Sequence, residues 1–156
     1  MFIPQEKYIE IIDWMPITCI DFFIVHWNNL LLWKRNNEPY KWEWFVPWWR
    51  IEKSETQEKA IQRKLFEETW IRVDKEASVK LLWVYDTIFK VNAFSNNQLT
   101  HTINITYIVN LHKKDSNISN DRQNEEFKRF DMDSDRDVFN EYIKKLIIDY
   151  RNIRGK

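Results

Sequence analysis

Glycine is almost absent from this chain, and its scarcity restricts how the turns can be built. The 156 residues include nine tryptophans and a single glycine, Gly155, next to the last position. Average usage of about 7% would give roughly ten glycines. Glycine supplies the positive φ that many tight turns need, whereas a bulky side chain resists that conformation. Turns in this chain therefore fall on residues that are poorly suited to them.

The rest of the composition indicates one soluble globular domain that spans residues 1–156. Apolar residues make up 44% of the chain and charged residues 31%, which is typical of a domain with a hydrophobic core. Lys+Arg and Asp+Glu are equal at 24 each, which argues against a general nucleic-acid binder. No run approaches the ~18 apolar residues of a membrane span, and the first residues lack a signal-peptide layout. We expect a cytoplasmic protein whose partners include neither nucleic acid nor a membrane.

The hydrophobic pattern predicts strands and helices that mix without strict alternation. The first strand is β-branched and aromatic, and it contains the lone cysteine, Cys19, so an intrachain disulfide is impossible. The predicted strands are residues 17–26, 30–35, 43–46, 79–90 and 103–111, the predicted helices are residues 4–13, 55–69 and a last helix from Ser134 or Asp135 to Tyr150, and residues 113–126 form a polar loop. This order predicts an α/β (α+β) fold with a mixed sheet sandwiched between helices.

Two helices have clear sequence signals. Ser54 is the expected N-cap of the helix at 55–69, with Gln57 completing a capping box. Ala60, Ile61 and Leu65 give that helix an apolar stripe. Helical spacing assigns the buried face of the last helix to Val138, Phe139, Tyr142, Ile143, Leu146, Ile147 and Tyr150.

The segment from residue 47 to residue 71 carries the chemistry. It is a loop that leads into a helix with carboxylates at both ends: Glu55 lies in the first turn, and Glu67 and Glu68 lie near the last. Arg63 is four residues before Glu67 and can pair with it. Adjacent carboxylates are hard oxygen donors of the kind that Mg²⁺ prefers. Spacing alone is more typical of a solvated helix face than of a metal site.

This segment resembles the Nudix box, G-x5-E-x7-R-E-U-x-E-E-x-G-U, in which U is aliphatic. The matching positions are Trp49, Glu55, Arg63, Lys64, Leu65, Glu67, Glu68, Trp70 and Ile71, with tryptophan at both glycine positions and lysine in place of the first paired glutamate. Residues 17–22, 32–35, 43–47, Arg50, His101 and Gln123 are further similar to the GDP-mannose mannosyl hydrolase branch, which itself tolerates the loss of that glutamate.

The resemblance implies a function and a set of site residues. It implies Mg²⁺-dependent hydrolysis, with Mn²⁺ as an alternative ion, of a nucleoside diphosphate sugar such as GDP-mannose by attack of water on the sugar carbon. The implied metal ligands are Glu68, Glu67, Gln123 and the backbone carbonyl of Trp49; Glu55 and Arg63 form a structural ion pair; Arg35 and Arg50 stabilise charge on the departing diphosphate; Asp21 and His101 lie near the substrate.

One departure from the branch concerns the general base. The branch has a histidine directly after the residue that matches Gln123, and this chain has Asn124. An amide does not accept a proton near neutral pH, and a well-placed base is worth about 10²–10⁴-fold in rate. Glu126, or Glu125, is a substitute. The alternatives are that the chain attacks phosphorus, as other Nudix enzymes do, or that it is a non-catalytic nucleotide-binding protein.

Seven tryptophans stand where the family has glycine or where turn chemistry favours it. They are Trp27, Trp33, Trp42, Trp48, Trp49, Trp70 and Trp83. We hypothesise that they arise from UGA codons that the native host reads as glycine; UGG codons at these positions would contradict this. Indoles at Trp48 and Trp49 are expected to obstruct the site. The family tends to form dimers, so a homodimer is also expected, with the aromatic residues of 79–107 in the core or the dimer interface.

Overall fold

The computed structural model describes residues 3–73, 77–91, 94, 99–112 and 126–155. The helices are α1 (Gln5–Trp14), α2 (Gln57–Thr69) and α3 (Glu141–Arg154), and a short 3₁₀ helix covers Arg136–Val138. The strands are β1 (Ile17–His26), β2 (Asn29–Lys34), β3 (Trp44–Phe45), β4 (Trp48–Arg50), β5 (Ala77–Phe89), β6 (Thr100–Leu111) and β7 (Phe127–Asp131). All three predicted helices and all five predicted strands are present, with shifted ends.

The seven strands form one mixed sheet. Its main path runs β3-β2-β1-β6-β5, with β7 paired to β2. The long central pair, β1 and β6, is parallel, and the β1–β2 and β5–β6 pairs are antiparallel. Strand β1 also pairs with β4 through residues 19–21 and with β2 through residues 24–26. The sheet therefore forks along β1, and the two arms separate at Phe22 and Phe23.

Side-chain alternation along β1 separates two layers of helices. Ile20, Phe22 and Ile24 pack with the apolar stripe of α2. Phe23 and Val25 pack with α3, and Cys19 packs with α1 on that same face. The predicted sheet between helices is confirmed. No helix in the described part of the chain is long and apolar enough to cross a membrane.

Several details of the predicted elements are wrong. Helix α2 is capped by Thr56, whose hydroxyl accepts a hydrogen bond from the Lys59 N–H at 3.3 Å, while Ser54 lies in the preceding turn with φ 66°. Helix α3 begins only after Asn140, whose side chain accepts from the Ile143 N–H at 3.0 Å. Val138 is consequently in the 3₁₀ turn and 41% exposed, not on the buried face of α3.

Two strands are absent from the sequence prediction. Pro47 does not end the pairing, because β4 follows it at once and the Pro47 carbonyl accepts a hydrogen bond from the Phe22 N–H at 2.9 Å. Strand β7 directly follows the predicted polar loop and pairs with β2. Both strands are short and gain their partners from distant parts of the chain, so local periodicity indicates neither.

Three tryptophans have left-handed backbone conformations. Trp27, in the β1–β2 turn, has φ 57°, Trp42 has φ 70°, and Trp70, the C-cap of α2, has φ 60°. Residues with a Cβ are disfavoured there by roughly 1–2 kcal/mol, and glycine is the usual occupant. Three of the seven tryptophans in question thus lie where a glycine would be unstrained. Their codon origin stays a prediction.

Candidate active site

An arginine fork ties the loop before α2 to the helix. Arg63 Nε and Nη2 each lie 2.7 Å from a different oxygen of the Glu55 carboxylate. Both side chains are largely buried, at 29% and 12% exposure. The hydrogen bonds from Arg63 hold the pKa of Glu55 below its usual value. The structure thus brings together the two residues predicted as an ion pair, in the bidentate geometry that Arg and carboxylate favour.

The carboxylates at the end of α2 surround a lysine. Lys64 Nζ lies 3.0 Å from Glu67 Oε2 and 3.6 Å from Glu68 Oε1, and it sits 5.8 Å from the centre of the Trp49 ring. Glu68 is almost fully buried, with 1% of its side chain exposed, whereas Glu67 is 44% exposed and also reaches Arg63 Nη1 at 3.3 Å. Two of the four predicted metal ligands, Glu67 and Glu68, therefore meet around one ammonium group, and the side chain of Trp49 lies beside it.

The donor chemistry of this cluster fits a hard divalent cation. Two carboxylates and a backbone carbonyl are oxygen donors, and Mg²⁺ commonly binds protein through one or two carboxylates. The cluster holds only two acidic groups, and no set of three or more His, Cys, Asp or Glu able to hold a metal occurs among the described residues. The fourth predicted ligand, Gln123, and the neighbouring Asn124 lie outside the described residues.

A small cationic cleft opens where β2 ends and β4 begins. Its volume is about 80 Å³, well below the roughly 300–1,000 Å³ of typical ligand pockets. The Arg35 guanidinium lies 5.1 Å from the centre of the Trp48 ring, and Trp49 packs against Phe22 on the other side of the sheet. The lining residues are Trp33, Lys34, Arg35, Asn36, Asn37, Val46, Pro47, Trp48 and Trp49. Three tryptophans thus line the cleft, and they include Trp48 and Trp49, the two that the sequence predicts to obstruct the site.

The two arginines predicted to bind diphosphate have different surroundings. Arg35 lines the cleft, and its Nε donates to the Pro39 carbonyl at 2.5 Å. Arg50 follows Trp49 on β4, and its guanidinium lies 5.5 Å from the ring centre of Tyr8 on α1. Arg50 is not among the described residues that line the cleft. It lies beside the cleft, under α1, rather than within it.

Asp21 is fully buried between the sheet and α3. Its Oδ1 accepts from Asn104 Nδ2 at 2.9 Å and its Oδ2 accepts from the Tyr142 hydroxyl at 2.6 Å. Burial raises the pKa of Asp21 to about 6, although these hydrogen bonds and the charge of Arg35 oppose the rise. Asp21 is therefore a carboxyl that changes its charge close to neutral pH and is coupled electrostatically to the cleft through Arg35.

The remaining two predicted site residues, His101 and Glu126, contact different parts of the sheet. His101 Nε2 contacts Asp86 Oδ1, across the β5–β6 pair. Glu126 is exposed, its carbonyl accepts from the Lys34 N–H at 2.8 Å, and its carboxylate lies 3.9 Å from Lys34 Nζ. The structure thus brings Glu126 to the rim of the cleft and holds His101 to the neighbouring strand.

Sequence reasoning missed the groups that hold Asp21. Asn104 lies within the predicted strand 103–111, and the sequence assigns Tyr142 only to the apolar face of the last helix. A signal exists, because β6 alternates Thr102, Asn104 and Thr106 with apolar residues and all three polar residues are buried. Polar residues on one face of a central strand indicate a buried hydrogen-bond network rather than an ordinary core.

Comparison with known proteins gives a consistent result. Residues 20–143 match the family model described as the NUDIX domain. The chain is 29% identical, over 129 residues, to the low-salt glycan biosynthesis protein Agl8 of Haloferax volcanii; the match covers 83% of this chain and 80% of that protein.

Solved structures agree on the fold. The MutT protein from Methanosarcina mazei Go1 superposes with a TM-score of 0.69 at 13% identity, covering 92% of this chain and 99% of that one. The NUDIX domain of Shewanella oneidensis NrtR, solved with ADP ribose, gives a TM-score of 0.61 at 16% identity, covering 96% and 98%. At such identities the likeness shows the fold alone.

Proposed function

Because the chain belongs to the NUDIX domain family, we propose that it hydrolyses a nucleoside diphosphate linked to a sugar, with GDP-mannose as the type of substrate. Family membership supports hydrolysis. The name of the Haloferax volcanii relative refers to glycan biosynthesis, which favours a substrate that carries a sugar. The sequence likeness to the GDP-mannose mannosyl hydrolase branch favours the same choice.

The observation that carries the proposal is the pairing of a carboxylate cluster with a cationic cleft. Arg63 binds Glu55 in the loop between β4 and α2 and contacts Glu67 near the end of α2, so this loop is tied to the helix that carries Glu67 and Glu68. Lys34 and Arg35 line the adjacent cleft. Oxygen donors beside cations suit a diphosphate bound through a divalent ion.

Each polar group then has a role. Glu68, with Glu67, the Trp49 carbonyl and Gln123, would hold Mg²⁺ or Mn²⁺, which when bound supplies positive charge to the diphosphate. Arg35 and Arg50 stabilise the negative charge that develops on the leaving diphosphate, as guanidinium groups do well. Asp21 and His101 contribute to substrate binding. Asp21 acts from below the cleft, through its electrostatic coupling to Arg35.

Glu126 is the proposed general base. It is exposed beside Lys34 at the rim of the cleft, where a carboxylate can take a proton from an attacking water molecule. Asn124 cannot do so, because an amide is not basic near neutral pH. A weaker base than histidine predicts a slow enzyme, and Glu126→Gln is expected to lower kcat by roughly 10²-fold or more if Glu126 has this role.

Attack at phosphorus is the second candidate, and Asn124 in place of the branch histidine favours it. Hydrolysis of GDP-mannose with Mg²⁺ in heavy-oxygen water separates the two reactions. Attack at carbon gives GDP and labelled mannose, whereas attack at phosphorus gives GMP and mannose phosphate with the label on a phosphate. Glu68→Gln is the control, because loss of the main ligand must abolish metal-dependent turnover; unchanged turnover would remove the metal assignment.

A nucleotide-binding protein without catalysis is the third candidate. The cleft, at about 80 Å³, does not favour it over an enzyme, since a nucleotide and a nucleotide sugar both require more room than that. The same assay, repeated after glycine replaces the tryptophans at 27, 33, 42, 48, 49, 70 and 83, tests this point. Turnover that appears only in the substituted protein supports the enzyme; nucleotide binding without turnover in both proteins supports the binding protein.

A further inference from the structure

Lys64 lies where a bound cation would satisfy the Glu67–Glu68 pair. Its ammonium is 3.0 Å from one carboxylate and 3.6 Å from the other. Its own side chain is only 16% exposed, although lysine is usually among the most exposed residues. The position is thus a partly enclosed one in which a positive charge is held between two acidic groups.

Three independent contacts keep the ammonium there. Glu67 and Glu68 attract it by charge, and the Trp49 indole, 5.8 Å from Nζ, gives a cation–π contact. The neighbouring cation on the helix, Arg63, is committed to Glu55 at two distances of 2.7 Å. Lys64 therefore places a positive charge against Glu68, whose side chain is only 1% exposed.

We propose that Lys64 is a built-in cation that a divalent metal must displace before the site becomes competent. A carboxylate oxygen that contacts an ammonium has fewer lone pairs directed at a metal, and two positive charges cannot share so small a space without repulsion. Metal entry therefore requires Lys64 to swing away from Glu68 and Trp49. This inference rests on the proposed metal site and states what regulates its occupancy.

The inference predicts that loss of the Lys64 charge lowers stability in the absence of metal and strengthens metal binding. Without metal, Lys64→Gln removes the ammonium contact of a buried carboxylate, so the melting temperature should fall. With Mg²⁺, the same variant should bind the ion more tightly than the unsubstituted chain, by about tenfold or more, which is the scale of one charge-assisted contact. Lys59→Gln, on the exposed face of α2, is the matched control and should change neither quantity.

The experiment is isothermal titration of Mg²⁺ and Mn²⁺ into the full chain, Lys64→Gln, Lys59→Gln and Glu68→Gln, with melting temperatures recorded with and without the ion. Tighter binding and a larger metal-induced rise in melting temperature for Lys64→Gln than for the unsubstituted chain support the inference. Equal metal affinity in Lys64→Gln and the unsubstituted chain, both reduced in Glu68→Gln, overturns it while leaving the metal site intact.

A different result identifies failure of the proposed function instead. If no variant binds either ion and Glu68→Gln matches the others, the metal site itself is absent and the inference falls with it. Trp49→Gly is a further test, because it removes the cation–π contact and the packing against Phe22 but leaves both carboxylates and Lys64 in place. Its metal affinity should lie between those of the unsubstituted chain and Lys64→Gln; an affinity below that of the unsubstituted chain counts against displacement of Lys64.

Discussion

Single residues in unfavourable backbone conformations are the first determinants of stability in this chain. Trp27 is 80% exposed and Trp42 is 64% exposed, so neither gains enough packing to offset a positive φ. Trp70 is half exposed and contacts Phe66 with 5.3 Å between ring centres. The strain at these residues is a property of the side chain and not of the fold, because the backbone path at each of them is one that glycine follows freely.

Replacement of Trp27 by glycine should stabilise the protein. We expect the free energy of unfolding to rise by about 1 kcal/mol for Trp27→Gly and Trp42→Gly, because the left-handed penalty disappears. A smaller gain is expected for Trp70→Gly, which also loses the Phe66 contact. Urea titration measures the change. Trp14→Gly is the control, since Trp14 is 84% exposed but does not have a positive φ, so its replacement should bring no gain in stability.

Asp21 should make the folded protein less stable as the pH rises from 4 to 6, which is the opposite of the usual effect of a carboxylate. Its folded pKa of about 6 lies above the ordinary value of 3.8, so between these values the folded state binds more protons than the unfolded state. Stability from this group is therefore present at pH 4 and is lost as the pH rises through 6, by at most ~3 kcal/mol. Urea titrations from pH 4 to 7.5 should show this loss in the unsubstituted chain and not in Asp21→Asn. Identical pH profiles for the two proteins would contradict the assignment.

At the scale of elements, the Glu55–Arg63 fork joins the loop after β4 to α2. Arg63→Lys keeps the charge but loses the two-pronged geometry, so the free energy of unfolding should fall by about 1–2 kcal/mol at pH 7. The pKa of Glu55 is lowered in the folded state, so its contribution is lost as the pH falls through that folded pKa. Glu58→Gln, in the exposed first turn of α2, is the control and should cost little. Equal stability of Arg63→Lys and the unsubstituted chain would show that the fork does not hold the loop.

The elements also show what sequence can and cannot predict. Strand β1 and helix α2 follow from residue type and spacing, because burial of one face is enough to specify them. The prediction of Ser54 as the cap of α2 is wrong, because Thr56 is the N-cap. Both residue types are suitable caps, and only the conformation of the preceding turn decides between them. Strands β4 and β7 depend on distant partners, and the hydrogen bonds from Asn104 and Tyr142 to Asp21 depend on the packing of β6 and α3 against β1. The local sequence pattern does not contain information about these long-range pairings and hydrogen bonds.

For the whole molecule, the size of the cleft limits function more than the identity of its polar groups. Trp48→Gly combined with Trp49→Gly should enlarge the 80 Å³ cleft and raise the affinity for GDP in the presence of Mg²⁺ by roughly tenfold or more. Trp48 packs near Phe89 with 6.1 Å between ring centres, so some loss of stability is expected. Titration calorimetry measures the affinity, with Trp83→Gly, outside the cleft, as control. A folded double variant that still fails to bind GDP would show that the indoles are not the obstruction.

The fork along β1 has a consequence for how such a molecule can adapt to ligands of different size. Each arm is fastened to β1 by its own ladder, at residues 24–26 for β2 and 19–21 for β4. The mouth of the cleft lies between the two arms, and residues 35–47 form the span that connects them. Substitutions or insertions at the exposed positions of that span, Asn37, Lys41 and Trp42, can widen or narrow the mouth while both anchors, strand β3 and the buried Phe45 and Val46 stay as they are. The width of the cleft mouth, which decides which ligands can enter, can therefore change without loss of the β1–β2 and β1–β4 pairings that keep the protein folded.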